Sequence, residues 1–150
     1  MTRALPLWLA VGVAASACAP LTYSDAGAVD YETYRSVRVS VTSALDSVRA
    51  TDYFAGELRR ESGFERVTSD PAASVDAELD VTVSAIEEMI SNDDGSTDTK
   101  YSSEANYRLF SPADSNVDSG TETDESDFEE EAIEDALDQV AAHFIRPYRL

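Results

Sequence analysis

The chain has 150 residues, with 30 acidic side chains against 11 basic ones and a formal net charge of −19. A charge of that sign argues against nucleic-acid phosphates and anionic lipid headgroups as partners, and on its own it signals a solvated acidic surface, not a metal site. The length allows one compact domain, and a single cysteine, Cys18, excludes an internal disulfide, so stability must come from core packing.

The first segment reads as a secretory leader spanning residues 1–17. Arg3 is a minimal positive start, Leu5 to Ala14 is apolar, and Ala15, Ser16 and Ala17 are small residues ahead of Cys18. The apolar stretch is shorter than the roughly 20 residues of a transmembrane helix. Ala15-Ser16-Ala17-Cys18 resembles the lipobox of bacterial lipoproteins, which implies cleavage before Cys18 and a covalent lipid on its thiol. Ala15 stands where leucine is commoner, so an ordinary signal-peptidase site at Ala15-x-Ala17 is the competing reading. That cleavage would leave a free thiol in an oxidising compartment, a liability that favours the lipobox. Ala19 is not the aspartate of the enterobacterial inner-membrane retention signal, so the resemblance implies an outer-membrane anchor facing the periplasm.

Residues 18–33 lack a sustained period and are expected to be a lipidated flexible tether, with a single domain over residues 34–150. Val37, Val39 and Val41 alternate with polar residues and predict a strand over 35–41. Phe54 and Leu58, four apart, predict a helix over 52–61 that stops near Gly63. A short strand over 64–68 precedes the turn Ser69-Asp70-Pro71. From Val75 to Ile86 apolar and acidic positions alternate, the pattern of a strand with one wet face.

Asn92-Asp93-Asp94-Gly95-Ser96 is a strong turn signal, and beyond it Tyr101, Ser103, Ala105, Tyr107 and Leu109 alternate again, so a long hairpin is expected. Residues 116–123, rich in Asp, Ser, Gly and Thr, suit a pairing-resistant edge strand. Finally, Phe128, Ala132, Ile133, Ala136, Leu137, Val140, Ala141 and Phe144 form one apolar stripe. They predict a closing helix, with Ser126 and Glu129 in the form of a capping box and Arg146-Pro147 at its end.

This order predicts an α+β two-layer sandwich, a mostly antiparallel sheet of about four to five strands with two helices packed on one face. Tyr34-Arg35-Ser36-Val37-Arg38-Val39, Gly63-Phe64-Glu65-Arg66-Val67, Ala77-Glu78-Leu79-Asp80-Val81 and the helix from Ala132 to Pro147 carry a further likeness. The chain resembles the small envelope lipoproteins of Gram-negative bacteria, of the curli-secretion and penicillin-binding-protein-activator type. The resemblance implies an envelope location and an accessory role; the acidic outer face of the one long hairpin does not suit a membrane-spanning barrel strand.

Chemistry is hard to find. His143 is the only histidine, at a helix end where its charge suits the dipole, and no nucleophile motif accompanies it. Asn92, Asp93, Asp94 and Asp98 offer hard oxygen ligands, yet an EF-hand register centred on Gly95 would put its first ligand at Ile90 and its last at Tyr101, so a hairpin tip is the better reading. The acidic run Asp124, Glu125, Asp127, Glu129, Glu130 and Glu131 reads as a helix start. Tyr101, Tyr107 and Tyr148 are candidates for a partner surface; for the two hairpin tyrosines, packing against the closing helix is the preferred alternative.

The expectation is therefore a non-enzymatic, lipid-anchored adaptor that binds an envelope protein, with no catalytic residues, no metal and no cofactor beyond the lipid on Cys18. A carrier of an apolar ligand is the alternative, and it requires an enclosed apolar cavity of about 300 Å³ or more. An envelope hydrolase ranks third.

Overall fold

The alternating valines 37, 39 and 41 point their side chains to one side of strand β1 (Ser36–Ser43), where all three are buried. They do so in a computed structural model that describes residues 29–145. Helix α1 (Ser47–Glu61) and the short strand β2 (Arg66–Thr68) follow, then the long strands β3 (Ala77–Ser91) and β4 (Thr97–Phe110), β5 (Asp118–Ser126) and helix α2 (Glu129–His143). The five strands form one mixed sheet in the order β2-β1-β3-β4-β5. β1 is parallel to both neighbours, and β4 is antiparallel to both of its own. The antiparallel ladders run from Glu78 opposite Phe110 to Ser91 opposite Thr97, and from Tyr101 opposite Ser126 to Leu109 opposite Asp118; they are the longer ones. The α+β class, five strands and two helices on one face, agrees with the sequence pattern.

Odd-numbered residues of β1, β3 and β4 face the helices. Val37, Val39, Val41, Ala77, Leu79, Val81, Val83, Ala105, Tyr107 and Leu109 meet Phe54, Leu58, Ile133, Leu137, Val140 and Phe144 in one core. Neither layer could bury its apolar side alone, and burial of each Val, Leu or Phe contributes about 1.5–3 kcal/mol. The opposite sheet face is polar and open to solvent, with Ser40 donating to Asp80 and Thr121 to Asn106.

Strand ends shift by a few residues from the sequence pattern, most at β3, which runs on to Ser91, and three further differences have clear physical reasons. α1 begins five residues before the predicted start, because Asp46 accepts from the backbone N–H groups of Val48 and Arg49, both at 3.0 Å, and caps a turn with a largely solvated surface. The capping box at Ser126 and Glu129 does not form. Ser126 is still paired with Tyr101 in the sheet, so the cap position falls on Phe128, and the Ser126 hydroxyl bonds Glu131 instead. Order also extends back from residue 34 to at least Val29. A turn at Asp30 places Tyr31 edge-on to Phe64 at 5.0 Å, with its hydroxyl donating to the Phe144 carbonyl at 2.6 Å. Val29 and Tyr31 thus pack against the core.

Candidate interaction surface

The two ends of the sandwich differ in chemistry. At the end where the described chain begins and finishes, Tyr31, Phe64, Phe144, Tyr107 and His143 form a chain of ring contacts, and Ser62 forms an isolated bridge with Ile145. There His143 Nε2 lies 2.7 Å from the carboxylate of Asp118, a buried residue at the first position of β5. The pair ties the last turn of α2 to the sheet, a structural duty for the only histidine.

At the other end, β3 and β4 outrun their neighbours. β1 stops at Ser43, opposite Val83, and β5 stops at Ser126, opposite Tyr101. The remaining hairpin, from Ser84 through the Asn92–Ser96 turn to Lys100, projects as a two-stranded arm. Its tip is a turn closed by the Gly95 N–H on the Asn92 carbonyl, with Gly95 at φ +82°, a conformation that glycine adopts without penalty. The acidic groups of the tip serve the turn itself. Asp94 accepts from the hydroxyl and backbone of Ser96, which holds its carboxyl below the usual range, and Asn92 donates to Asp98.

The arm end gathers exposed apolar side chains: Ile86, Met89 and Ile90 on the arm, Leu45 and Val48 at the start of α1, and Phe128 at the start of α2. Full burial along β3 ends at Val83, where the partner strand ends. Beyond it Met89 keeps the inward parity of the core residues, while Ile86 and Ile90 take the other face. This surface is not legible in the sequence, because a period gives the direction of a side chain without saying whether anything covers it.

Between the helices near this end, Arg49 pairs with Glu130 and Glu134, and Tyr53 donates to Asp138 at 2.9 Å. Burial, with the neighbouring Asp138, raises the Tyr53 phenol above its ordinary value. An open apolar depression of about 130 Å³ lies here, lined by Leu45, Ala50, Tyr53, Ile133 and Leu137 among others. Two wider depressions, of about 270 and 310 Å³, are more open, the first lined about equally by polar and apolar surface and the second mostly polar. Neither kind matches the enclosed apolar cavity that a carrier requires. Among the described residues, no group of three or more acidic, histidine or cysteine side chains is placed to hold a metal ion, and no helix is long and apolar enough to cross a membrane.

The residues singled out from sequence separate clearly. Cys18, Ala15, Ser16, Ala17 and Tyr148 lie outside the described residues. Tyr107 is only 5% exposed and packs edge-on to Phe144 at 5.5 Å, so it belongs to the core and not to a partner surface. Tyr101 is half-buried at the base of the arm, opposite Glu87 and Ser126.

No protein-family model and no curated relative matches the chain. Among solved structures, a single-substitution variant of PelC from Paraburkholderia phytofirmans, described as a dodecamer, superposes with a TM-score of 0.57 at 16% identity, covering 81% of this chain and 95% of that one. The fold is similar to that of PelC. A second crystal form of the PelC dodecamer gives 0.54 at 15% identity over 76% of this chain and 91% of PelC. A minor lipoprotein from Acinetobacter baumannii gives 0.47 at 10% identity, over 73% of this chain and 87% of that one. At 15–16% identity the likeness to PelC is one of fold.

Proposed function

We infer that the protein is a lipid-anchored accessory protein of the bacterial envelope, held on the periplasmic face of the outer membrane and acting by binding protein, with copies of itself among its partners. It is a non-enzymatic adaptor of the same broad kind as the curli-secretion and penicillin-binding-protein-activator lipoproteins. The observation that carries the reading is Ala15-Ser16-Ala17-Cys18 ahead of a domain whose first described residues dock at the end opposite the apolar arm. Self-association is supported by the likeness in fold to PelC, which forms a dodecamer.

Fractionation of cells expressing Cys18→Ser, with labelled palmitate, tests the anchor. Wild type is expected in the membrane fraction with label, and the variant in the soluble periplasm without it. A variant that stays in the membrane and takes up label like wild type sinks the anchor.

A further inference from the structure

We propose that the β3 edge of the projecting arm, residues 84–91, is a self-pairing strand through which two copies of this chain join arm to arm. This rests on the self-association in the function proposed above and names its surface. Among the described residues no strand pairs with β3 on this side beyond Val83, so the arm carries a row of unpartnered backbone donors and acceptors. Such an edge is a template for strand addition, and proteins that avoid addition blunt it with charged side chains, lysine above all, with proline or with a bulge. Here the charges are Glu87 and Glu88, with no proline or lysine on the strand, and beside them stand Ile86, 67% exposed, Met89, 76% exposed, and Ile90, 39% exposed. The outer edge at β2 is protected differently: the Arg59 side chain donates to the Val67 carbonyl.

The occupant is a second copy because the edge is self-complementary. Ile86 and Ile90 lie on one face of β3, two positions to either side of Glu88. Antiparallel pairing about a two-fold axis at Glu88 sets Ile86 of each copy against Ile90 of the other, and Glu87 against Met89 on the reverse face. The two Glu88 side chains then become neighbours. Each is already opposite Lys100 across its own hairpin, the one lysine of a chain with 30 acids, so the row of four side chains is neutral overall. Without Lys100 the centre of this pairing would repel itself.

The test uses the full chain in native membranes and in detergent. In the proposed register, the Cα atoms of the two residues 88 lie about 4.5–5.5 Å apart, within disulfide range. Glu88→Cys should therefore give an oxidant-dependent, reducible dimer that is absent from the parent chain with Cys18 alone and from Ser40→Cys on the open sheet face. Adding Ile86→Asp and Ile90→Asp should abolish the dimer and reduce the detergent-subtracted mass, while circular dichroism and melting, which report the distant core, stay unchanged. An oligomer that gives no residue-88 dimer, or that survives the two aspartates, overturns the arm as interface and leaves self-association standing. A wild-type chain that is monomeric by light scattering and uncrosslinked in membranes overturns both. Crosslinking of residue 88 to a different protein, and not to itself, overturns the second copy as occupant.

Discussion

His143 Nε2 donates to Asp118 Oδ2 at 2.7 Å, joining the end of α2 to the start of β5. The carboxylate side chain is 9% exposed, and its other oxygen accepts from the Ser119 N–H. Replacing His143 by Ala strips a buried acid of a charge-assisted bond, so a loss of about 1–3 kcal/mol is expected, towards the lower end because the imidazole is a third exposed. Urea unfolding measures it. A midpoint equal to wild type would make the pair a bystander.

Tyr31 and Gly63 make a second coupled pair, where the chain enters the domain. A Cβ on Gly63 would fall 2.6 Å from the Tyr31 ring, so Gly63→Ala must displace it from Phe64 and from the Phe144 carbonyl. Loss of about 1–3 kcal/mol is expected from the overpacking. Tyr31→Ala and Gly63→Ala together should lose less than the sum of the single changes, since the first removes what the second collides with. Additive losses in a double-mutant cycle would contradict the contact.

β3 offers a contrast within a single strand. Leu79 is fully buried and its Ala variant should be about 2–5 kcal/mol less stable, whereas Ser84→Ala, on the solvent-facing side, should stay within about 0.5 kcal/mol. Chemical denaturation of the two variants separates these outcomes.

Asp76 supplies a pH dependence. Its carboxylate accepts from the hydroxyl and the backbone N–H of Ser36, both at 2.8 Å, just before β1 and β3 begin to pair at Val37 and Ala77. Those hydrogen bonds, the hydroxyl's first, hold its carboxyl below the ordinary 3.8. A depressed folded-state value means that the unfolded chain takes up the proton first, so the contribution is present above pH 3.8 and is lost as pH falls through the lower folded value. Asp76→Ala should be less stable than wild type at neutral pH and should lose less stability on acidification through that range. A parallel acid profile for the two proteins would remove Asp76 from the effect.

Much of this fold is written locally. The alternation of Val37, Val39 and Val41, and of Leu79, Val81 and Val83, assigns strands and their inward faces, and the stripe from Ala132 to Phe144 assigns the closing helix. These signals are legible because burial on one side imposes a period, two for a strand and 3.6 for a helix. The helix starts are less legible. Asp46 caps α1 before any clear apolar period, and Ser126 has the spacing of a cap while the sheet retains it as a strand residue.

The sequence alone determined the α+β composition and the inward faces, and it carries the Ala15-Ser16-Ala17-Cys18 pattern on which the anchoring proposal depends. Only the tertiary structure decided that β1 lies between β2 and β3, that Tyr107 belongs to the core, and that Ile86, Met89 and Ile90 stand uncovered on an arm. The reason is that periodicity records the direction in which a side chain points. Whether it is buried depends on where β1 ends at Ser43 and β5 at Ser126, lengths set by neighbours distant in the chain.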